Sequence, residues 1–420
     1  MNLFLYNLII WLLIPFALLR LLYRSLMQPE YLSFWKERLG IYSRPQDKAA
    51  KLRTLWFHCV SLGETNAIMP LIKVLTKKHP DINILLSHGT LTGRKAFISN
   101  SKKVKRCYLP FDSKGLVIKF LHHYQPIMGI ILETEIWPNL IHQCHLKKIP
   151  LFLVNARLSE RSLMRYMPYK NFISKSINKI NHIYVQSEND RENFKELTNQ
   201  TTSIMGNLKF DAQLPKDIPE KVKKLKSQLK IDKQFVILVS SSRDGEEDII
   251  LNFFKNISLR DVVVIIVPRH PERFNKVSRI FESYQLPYIR RSDFKKLTAA
   301  PQYILGDSMG ELYEYYGLAS LVIMGGSIKN TGSQNIIEPM LLNRPIAVGP
   351  SIFNFKNIIE VSQKKGLVFR FSKVEELEGI IFQLIKNKEL KKGIRQKTNI
   401  FLKQNSGASK KILRLINQYF

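Results

Sequence analysis

Residues Thr54–Leu75 read TLWFHCVSLGETNAIMPLIKVL, a short aromatic and apolar run, a tight turn through Ser61, Leu62 and Gly63, then Glu64 opening a second apolar run at helical spacing. Strand, turn, helix in that order is the first half of a βαβ unit. The rhythm repeats in INILLSH, IMGIILE, PLFLVNA and HIYVQS, each followed by a lysine-rich helical segment, and a second set runs through FVILVSSS, VVVIIVP, LPYIR, QYILG, SLVIMGG and PIAVG. Apolar runs of this kind belong to parallel strands covered on both faces. Between the sets, DAQLPKDIPEKVKKLKSQ is charged, holds Pro215 and Pro219, and reads as a linker. The expected architecture is α/β, two doubly wound Rossmann-like domains facing a cleft, at residues 25–211 and 212–420, after an N-terminal segment 1–24.

Composition agrees with a large folded protein. With 420 residues, 45% of them hydrophobic, the chain can bury more than one core, which excludes a disordered chain. The formal net charge of +31 predicts an anionic partner: nucleic acid, a membrane surface or a phosphorylated substrate. Cys59, Cys107 and Cys144 are scattered and odd in number, so neither a disulfide framework nor a zinc site is indicated.

From Leu3 to Leu19 no side chain is charged, and continuation to Leu22 gives a helix of about 30 Å, just enough to span a bilayer. Features of a cleaved signal peptide are absent, so the segment reads as a retained membrane anchor. Arg20, Arg24, Lys36 and Arg38 follow it and no basic residue precedes it, which places the body on the cytoplasmic side. A helix buried in the soluble core, or lying in the membrane interface, is the alternative that Pro15 and the short span keep open.

In open α/β sheets, ligands collect beyond the carboxyl ends of the strands, so residues just after each apolar run carry most information. Glu64 is one: it reads either as an acid stabilising a helix start or as a general base. Glu133 and Glu135 in ILETEIWPNL form the second place; on an extended segment their carboxylates lie on one side, about 7 Å apart, and read as sharing a positive partner, as raising each other's proton affinity, or as a pair solvated at a sheet edge. Lys209 in GNLKFD stands at the expected hinge. In VPRHPERF, Arg269, His270 and Arg273 form either a phosphate-recognising cluster or a basic surface loop. Met309, Gly310 and Glu311 open one helix, and Asn335, Ile336, Ile337 and Glu338 open another, behind Gly325 and Gly326. Backbone N–H groups there suit a phosphate, and Glu338 suits ribose hydroxyls.

Gly-x-Gly-x-x-Gly after the first strand, a P-loop, His-Glu-x-x-His and a Gly-x-Ser-x-Gly elbow are all missing, which weakens dinucleotide oxidoreductase, P-loop ATPase, zinc protease and serine hydrolase readings. No RNA-binding signature accompanies the basic charge.

WFHCVSLGE, LETEIWPNL, NARLSERS, GNLKFD, PRHPERF, GDSMGEL, GGS and GSQNIIEP occur in this order, together with the QPEY…RLG segment at Gln28–Gly40. In these motifs the chain resembles the 3-deoxy-D-manno-oct-2-ulosonic acid (Kdo) transferases of lipopolysaccharide biosynthesis. The resemblance implies a GT-B fold, inverting and metal-independent transfer of Kdo from CMP-Kdo onto the phosphorylated lipid A precursor (lipid IVA), no cofactor, and a single-pass anchor in the inner membrane facing the cytoplasm. By the same resemblance Glu64 matches the general base, Glu133 and Lys209 match transition-state stabilising positions, and Arg269, His270, Met309, Gly310, Glu311 and Asn335 to Glu338 match the CMP pocket. Leu62 stands where the family usually has Val, Ser333 where a second Gly is common, and Ile336 where Pro is common. The alternatives are another GT-B enzyme or epimerase with a different nucleotide sugar, or a non-catalytic membrane-anchored protein that binds anionic lipid. Nucleic acid is not an expected partner.

Overall fold

The structure is a computed structural model that describes residues 1–43, 53–96, 103–293 and 297–419. It divides into two compact units, Met1–Ala212 with Asn405–Phe420, and Gln213–Gln404.

The first unit is built on a seven-stranded parallel sheet: β1 Arg53–His58, β2 Ile82–His88, β3 Val104–Tyr108, β4 Pro126–Leu132, β5 Leu151–Ala156, β6 His182–Val185 and β7 Thr202–Ile204, in spatial order 3-2-1-4-5-6-7. Strand β4 has no polar side chain and β5 only Asn155, because helices cover both faces. One core packs the helix Leu62–Lys78 against Leu55, Phe57 and Ile84; the other seats Trp56 and Phe120 against the helices at Pro138–Leu146 and Lys170–Ile177. Gly129 in β4 has a close-approach role, since a Cβ there would stand 2.7 Å from the Trp56 ring.

The second unit has β8 Phe235–Ser242, β9 Val262–Pro268, β10 Tyr288–Arg290, β11 Tyr303–Leu305, β12 Leu321–Met324, β13 Ile346–Val348 and β14 Val368–Arg370, in order 10-11-9-8-12-13-14. This sheet also has seven strands, but four of them lie on the side of its first strand and three on the other, where the first sheet has three and four. Every recorded pairing in both sheets is parallel.

The C-terminal boundary differs from the sequence reading. The second domain was expected to run to residue 420, yet the helix Ala408–Asn417 returns to the first unit. Ala408, Ile412 and Ile416 enter the core beside Ile68 and Leu71, and the Asp211 carboxylate accepts from the Gly407 and Ser409 N–H groups, which caps that helix. At the other end, the apolar helix Leu3–Met27 is long enough to cross a membrane and carries Pro15 inside it.

Candidate active site

Strand order reverses direction between β1 and β4 in the first sheet and between β8 and β12 in the second. Such switch points leave a crevice at the carboxyl ends of the strands. Glu64 follows β1 and Glu133 follows β4, so both sequence-derived carboxylates emerge at the first switch point.

Glu64 occupies the third position of a capping box. Ser61 Oγ accepts from the Glu64 N–H at 3.3 Å, while the Glu64 carboxylate accepts from Val60 N (2.7 Å), Ser61 N (3.2 Å) and Ser61 Oγ (2.7 Å). The structural role read from the sequence is therefore real. It does not exhaust the residue, because Glu64 is only 6% exposed and its carboxyl is pushed up to about 7. Burial contributes most, the Glu133 charge adds to it, and the three hydrogen bonds pull the other way.

Glu133 does not continue β4 as an extended residue. Its φ of +58° is left-handed, so the same-side alternation expected over residues 133–135 does not form. Its N–H still bonds Val154 O at 3.0 Å, and the turn aims the carboxylate at Lys209, with Nζ to Oε1 at 3.5 Å. Glu135 joins the group by another route. Burial, then the charge of Glu64, then that of Glu133 push its carboxyl up to about 7, with the Trp137 indole opposing. Three carboxyls and one lysine thus share one end of the sheet, and near neutral pH a small free-energy change decides the ionisation of Glu64 and Glu135.

Lys209 lies within the first unit, on the single turn Leu208–Asp211. Asn155 Oδ1 accepts from Leu208 N (2.9 Å), Asn207 Oδ1 from Lys209 N (2.9 Å), and Gln186 Oε1 from Asn207 Nδ2 (2.8 Å). Sequence reasoning missed this amide network. The signal was present, since Asn155 and Gln186 are polar residues at the ends of β5 and β6.

In the second unit, Glu246 is fully buried, and its carboxylate accepts from Gly326 N (2.7 Å), Arg243 N (2.8 Å) and Ile328 N (2.9 Å). It ties the loop after β12 to the loop after β8 across the switch point, another residue the sequence did not single out. Gly325 is obligatory there, because a Cβ would stand 2.4 Å from Ser241 O. Beside them the Arg243 guanidinium donates to His270 Nε2 at 3.0 Å; burial first, then Arg243, hold the imidazole below its usual range, leaving it neutral with Nδ1–H to donate.

The other sequence-derived residues separate in role. Arg273 is engaged by Asp244 (2.6 Å) and Glu247 (2.7 Å), so it braces the helix Glu246–Asn256 and is not the phosphate ligand considered from sequence. Arg269 is exposed, and its charge acts on buried Tyr316, as does that of Glu338, which places Arg269 and Glu338 around one tyrosine whose hydroxyl bonds Ser240 at the end of β8. Asn335 Nδ2 donates to Glu338 Oε1 at 3.2 Å, and Asn335 Oδ1 accepts from Ile337 N. The side chains of Ile336 and Ile337 are buried in the core, which leaves only their backbones for contact with a ligand. Met309 is 64% exposed, Gly310 has φ +81°, and Glu311 pairs with Arg291 at 2.9 Å. The helices these segments open, Leu312–Leu318 and Ile337–Leu341, are so short that an anion there would be held by individual N–H groups and side chains, not by a macrodipole. Among the described residues, no group of three or more His, Cys, Asp or Glu is arranged to hold a metal ion.

A family model described as 3-Deoxy-D-manno-octulosonic-acid transferase (kdotransferase) matches residues 33–212. The chain is similar to the 3-deoxy-D-manno-octulosonic acid transferase of Haemophilus influenzae, 32% identical over 403 residues that cover 94% of this chain and 93% of the relative. It is similar to the protein of the same description from Bordetella pertussis, 27% identical over 385 residues, 87% of each chain. Among solved structures, the UDP-GlcNAc 2-epimerase of Neisseria meningitidis bound to UDP-GlcNAc superposes with a TM-score of 0.59 at 15% identity, over 87% of this chain and 100% of that one, a likeness of fold alone.

Proposed function

We propose, from the premise that this chain belongs to the 3-deoxy-D-manno-octulosonic acid (Kdo) transferase family and is a glycosyltransferase, that it moves Kdo from CMP-Kdo onto a hydroxyl of a phosphorylated lipid A precursor at the cytoplasmic leaflet of the inner membrane. The observation that carries the mechanism is Glu64: a buried carboxyl titrating at about 7 and within the field of Glu133. A base works best when its proton affinity matches the operating pH.

In the proposed step, ionised Glu64 takes the proton of the acceptor hydroxyl as that oxygen bonds the anomeric carbon of Kdo. The bond from that carbon to the CMP phosphate oxygen breaks on the opposite side, and its electron pair leaves with CMP, which inverts the centre. Arg269, the neutral His270 and backbone N–H groups beyond β12 receive the leaving phosphate, and Glu338 holds the ribose. Lys209, positioned by Asn155 and Asn207, supplies fixed positive charge to the transferring carboxylated sugar, and Glu133 sets that lysine's place. This division needs no metal or cofactor.

The test is Glu64→Gln. Gln is acceptable at the third position of a capping box, so the helix start survives while the basicity is lost. Product analysis by mass spectrometry, with CMP-Kdo and purified acceptor, should show turnover reduced about 10²- to 10⁴-fold and CMP affinity unchanged. Near-normal turnover would return Glu64 to a purely structural role.

A further inference from the structure

The helix Leu3–Met27 has two unlike faces, and the difference is periodic. Leu3, Asn7, Ile10, Ile14, Leu21 and Ser25 are buried or half-buried, at the spacing of one stripe along a helix of 3.6 residues per turn. Leu5, Leu12 (63% exposed), Phe16, Leu19, Tyr23 and Leu26 (81%) form the opposite face, which is apolar. Ile14 is the buried side chain of this stripe, so the helix, about 36 Å long, touches the folded body narrowly, and what holds it there is at its two ends.

Both ends are tied to the same unit. At the start, Tyr6 Oη donates to the buried Asp112 at 2.9 Å, and Asn7 pairs with the buried Asn139 at 3.1 Å and accepts from Lys114 N at 3.0 Å. The Tyr6 ring also packs on Phe172, with centroids 5.5 Å apart. Just beyond the end, Glu30 is ion-paired to Lys95, Glu37 to Arg94, and Arg38 donates to Gly89 O at 2.9 Å. A bilayer cannot stand between residue 6 and residue 30 when each is bonded to one folded body.

We propose that this helix does not cross the membrane but lies in the plane of a single anionic leaflet, its outer face sunk among the acyl chains and its inner face on the first unit. The occupant of the apolar face is lipid, because Arg20 and Arg24 are exposed along its flank, where headgroup phosphates would lie, and the chain as a whole is strongly cationic. Tyr6 and Leu3 pack on the same core as Leu163 and Tyr166, and Tyr166 is within the field of Glu135. Exposed Met164, Met167 and Tyr169, with Arg161, Arg165 and Lys170 among them, continue the apolar and basic surface there. The in-plane helix thereby holds the carboxyl cluster at the depth of the lipid headgroups. The proposal rests on the membrane-bound reading given above and replaces its single-pass form.

The test uses the full-length chain carrying Asn2→Cys; the three native cysteines are buried, so the new thiol is the reactive one. A membrane-impermeant maleimide should label it in inside-out inner-membrane vesicles and not in intact spheroplasts. Labelling in spheroplasts would put residue 2 across the bilayer and overturn the proposal. A chain missing from the membrane fraction would overturn it together with the membrane reading, while Kdo transfer in detergent would remain. As a second measurement, Tyr6→Phe combined with Asn7→Leu makes the helix more apolar but removes its polar ties. In micelles the Tm should fall by about 2 to 4 °C; an unchanged Tm would mean those ties do not form, and would also overturn it.

Discussion

The two units are both seven-stranded parallel sheets with the same kind of switch point, yet they load it with opposite chemistry. At β1 and β4 the first unit gathers Glu64, Glu133 and Glu135 around Lys209, whereas at β8 and β12 the second ties backbone N–H groups to a buried Glu246 and sets Arg243, Arg269 and His270 beside them. Carboxyls crowded away from water gain proton affinity, which suits taking a proton from a hydroxyl. Guanidinium and N–H groups suit an anion that must be bound and then released with extra charge. The scaffold is indifferent to this division; residues in a few strand-end loops make it.

If the division holds, the largest effect after Glu64→Gln comes from the other unit. Arg269→Ala should weaken CMP binding about 10- to 100-fold, as for the loss of a charged hydrogen bond, measured by calorimetry, with little change in the pH dependence of turnover. A pH profile that moved with Arg269 would break the comparison.

Glu133→Gln sharpens it from the first unit. Turnover should require ionised Glu64, so activity falls as pH drops through about 7. Removing the neighbouring negative charge lowers the proton affinity of Glu64, and the acid limb of kcat/KM should move to lower pH whatever happens to its height. A limb that stays in place would separate Glu64 from the ionisation that limits turnover.

Stability should follow the same carboxyls. Glu64 and Glu135 are raised from 4.5 to about 7, so they bind protons more tightly folded than unfolded. Their contribution is fully present below about 4.5 and is lost as pH rises through about 7. Glu135→Gln should therefore stabilise the protein at pH 8 by about 1 to 3 kcal/mol, an advantage that vanishes towards pH 4.5. Comparing Tm of variant and parent at each pH cancels the opposite trend from buried His58 and His88, which prefer to be neutral.

The smallest effect belongs to the second unit. Ser333 has φ +68°, a conformation that costs a side-chain-bearing residue roughly 1 kcal/mol. Ser333→Gly should raise Tm by about 2 to 4 °C in thermal unfolding, and donor affinity should improve slightly if the strain reaches the loop. A lower Tm would mean that the Ser333 hydroxyl, which bonds Gln334 O, outweighs the strain.

Much of this was legible in the residues. The eleven strands read from apolar runs all occur, because buried parallel strands must be apolar on both faces and so write themselves into the chain. Strands β3, β7 and β14 did not announce themselves: VKRCY, TSI and VFR sit at sheet edges, where one neighbour is missing and polar residues are tolerated. Glu64 and Glu133 drew notice because strand ends are where ligands collect, and Lys209 because it was expected at the hinge; the structure sets Lys209 within the first unit, paired with Glu133. Asn155, Gln186, Asn207 and Glu246 were not, since a polar side chain that orders a loop looks in sequence like any other polar side chain.

What the chain determined alone is therefore whatever depends on local periodicity: the alternation of strand and helix, the capping box at Ser61 and Glu64, and the apolar character of residues 3–27. Tertiary structure decided what depends on partners distant in sequence. It brought Glu133 beside Glu64 through a left-handed turn, returned the last helix to Asp211, and bonded Tyr6 to Asp112. The physical reason is common to all three. Burial and through-space charge set a group's chemistry, and the surroundings that bury a residue are assembled only when remote segments meet.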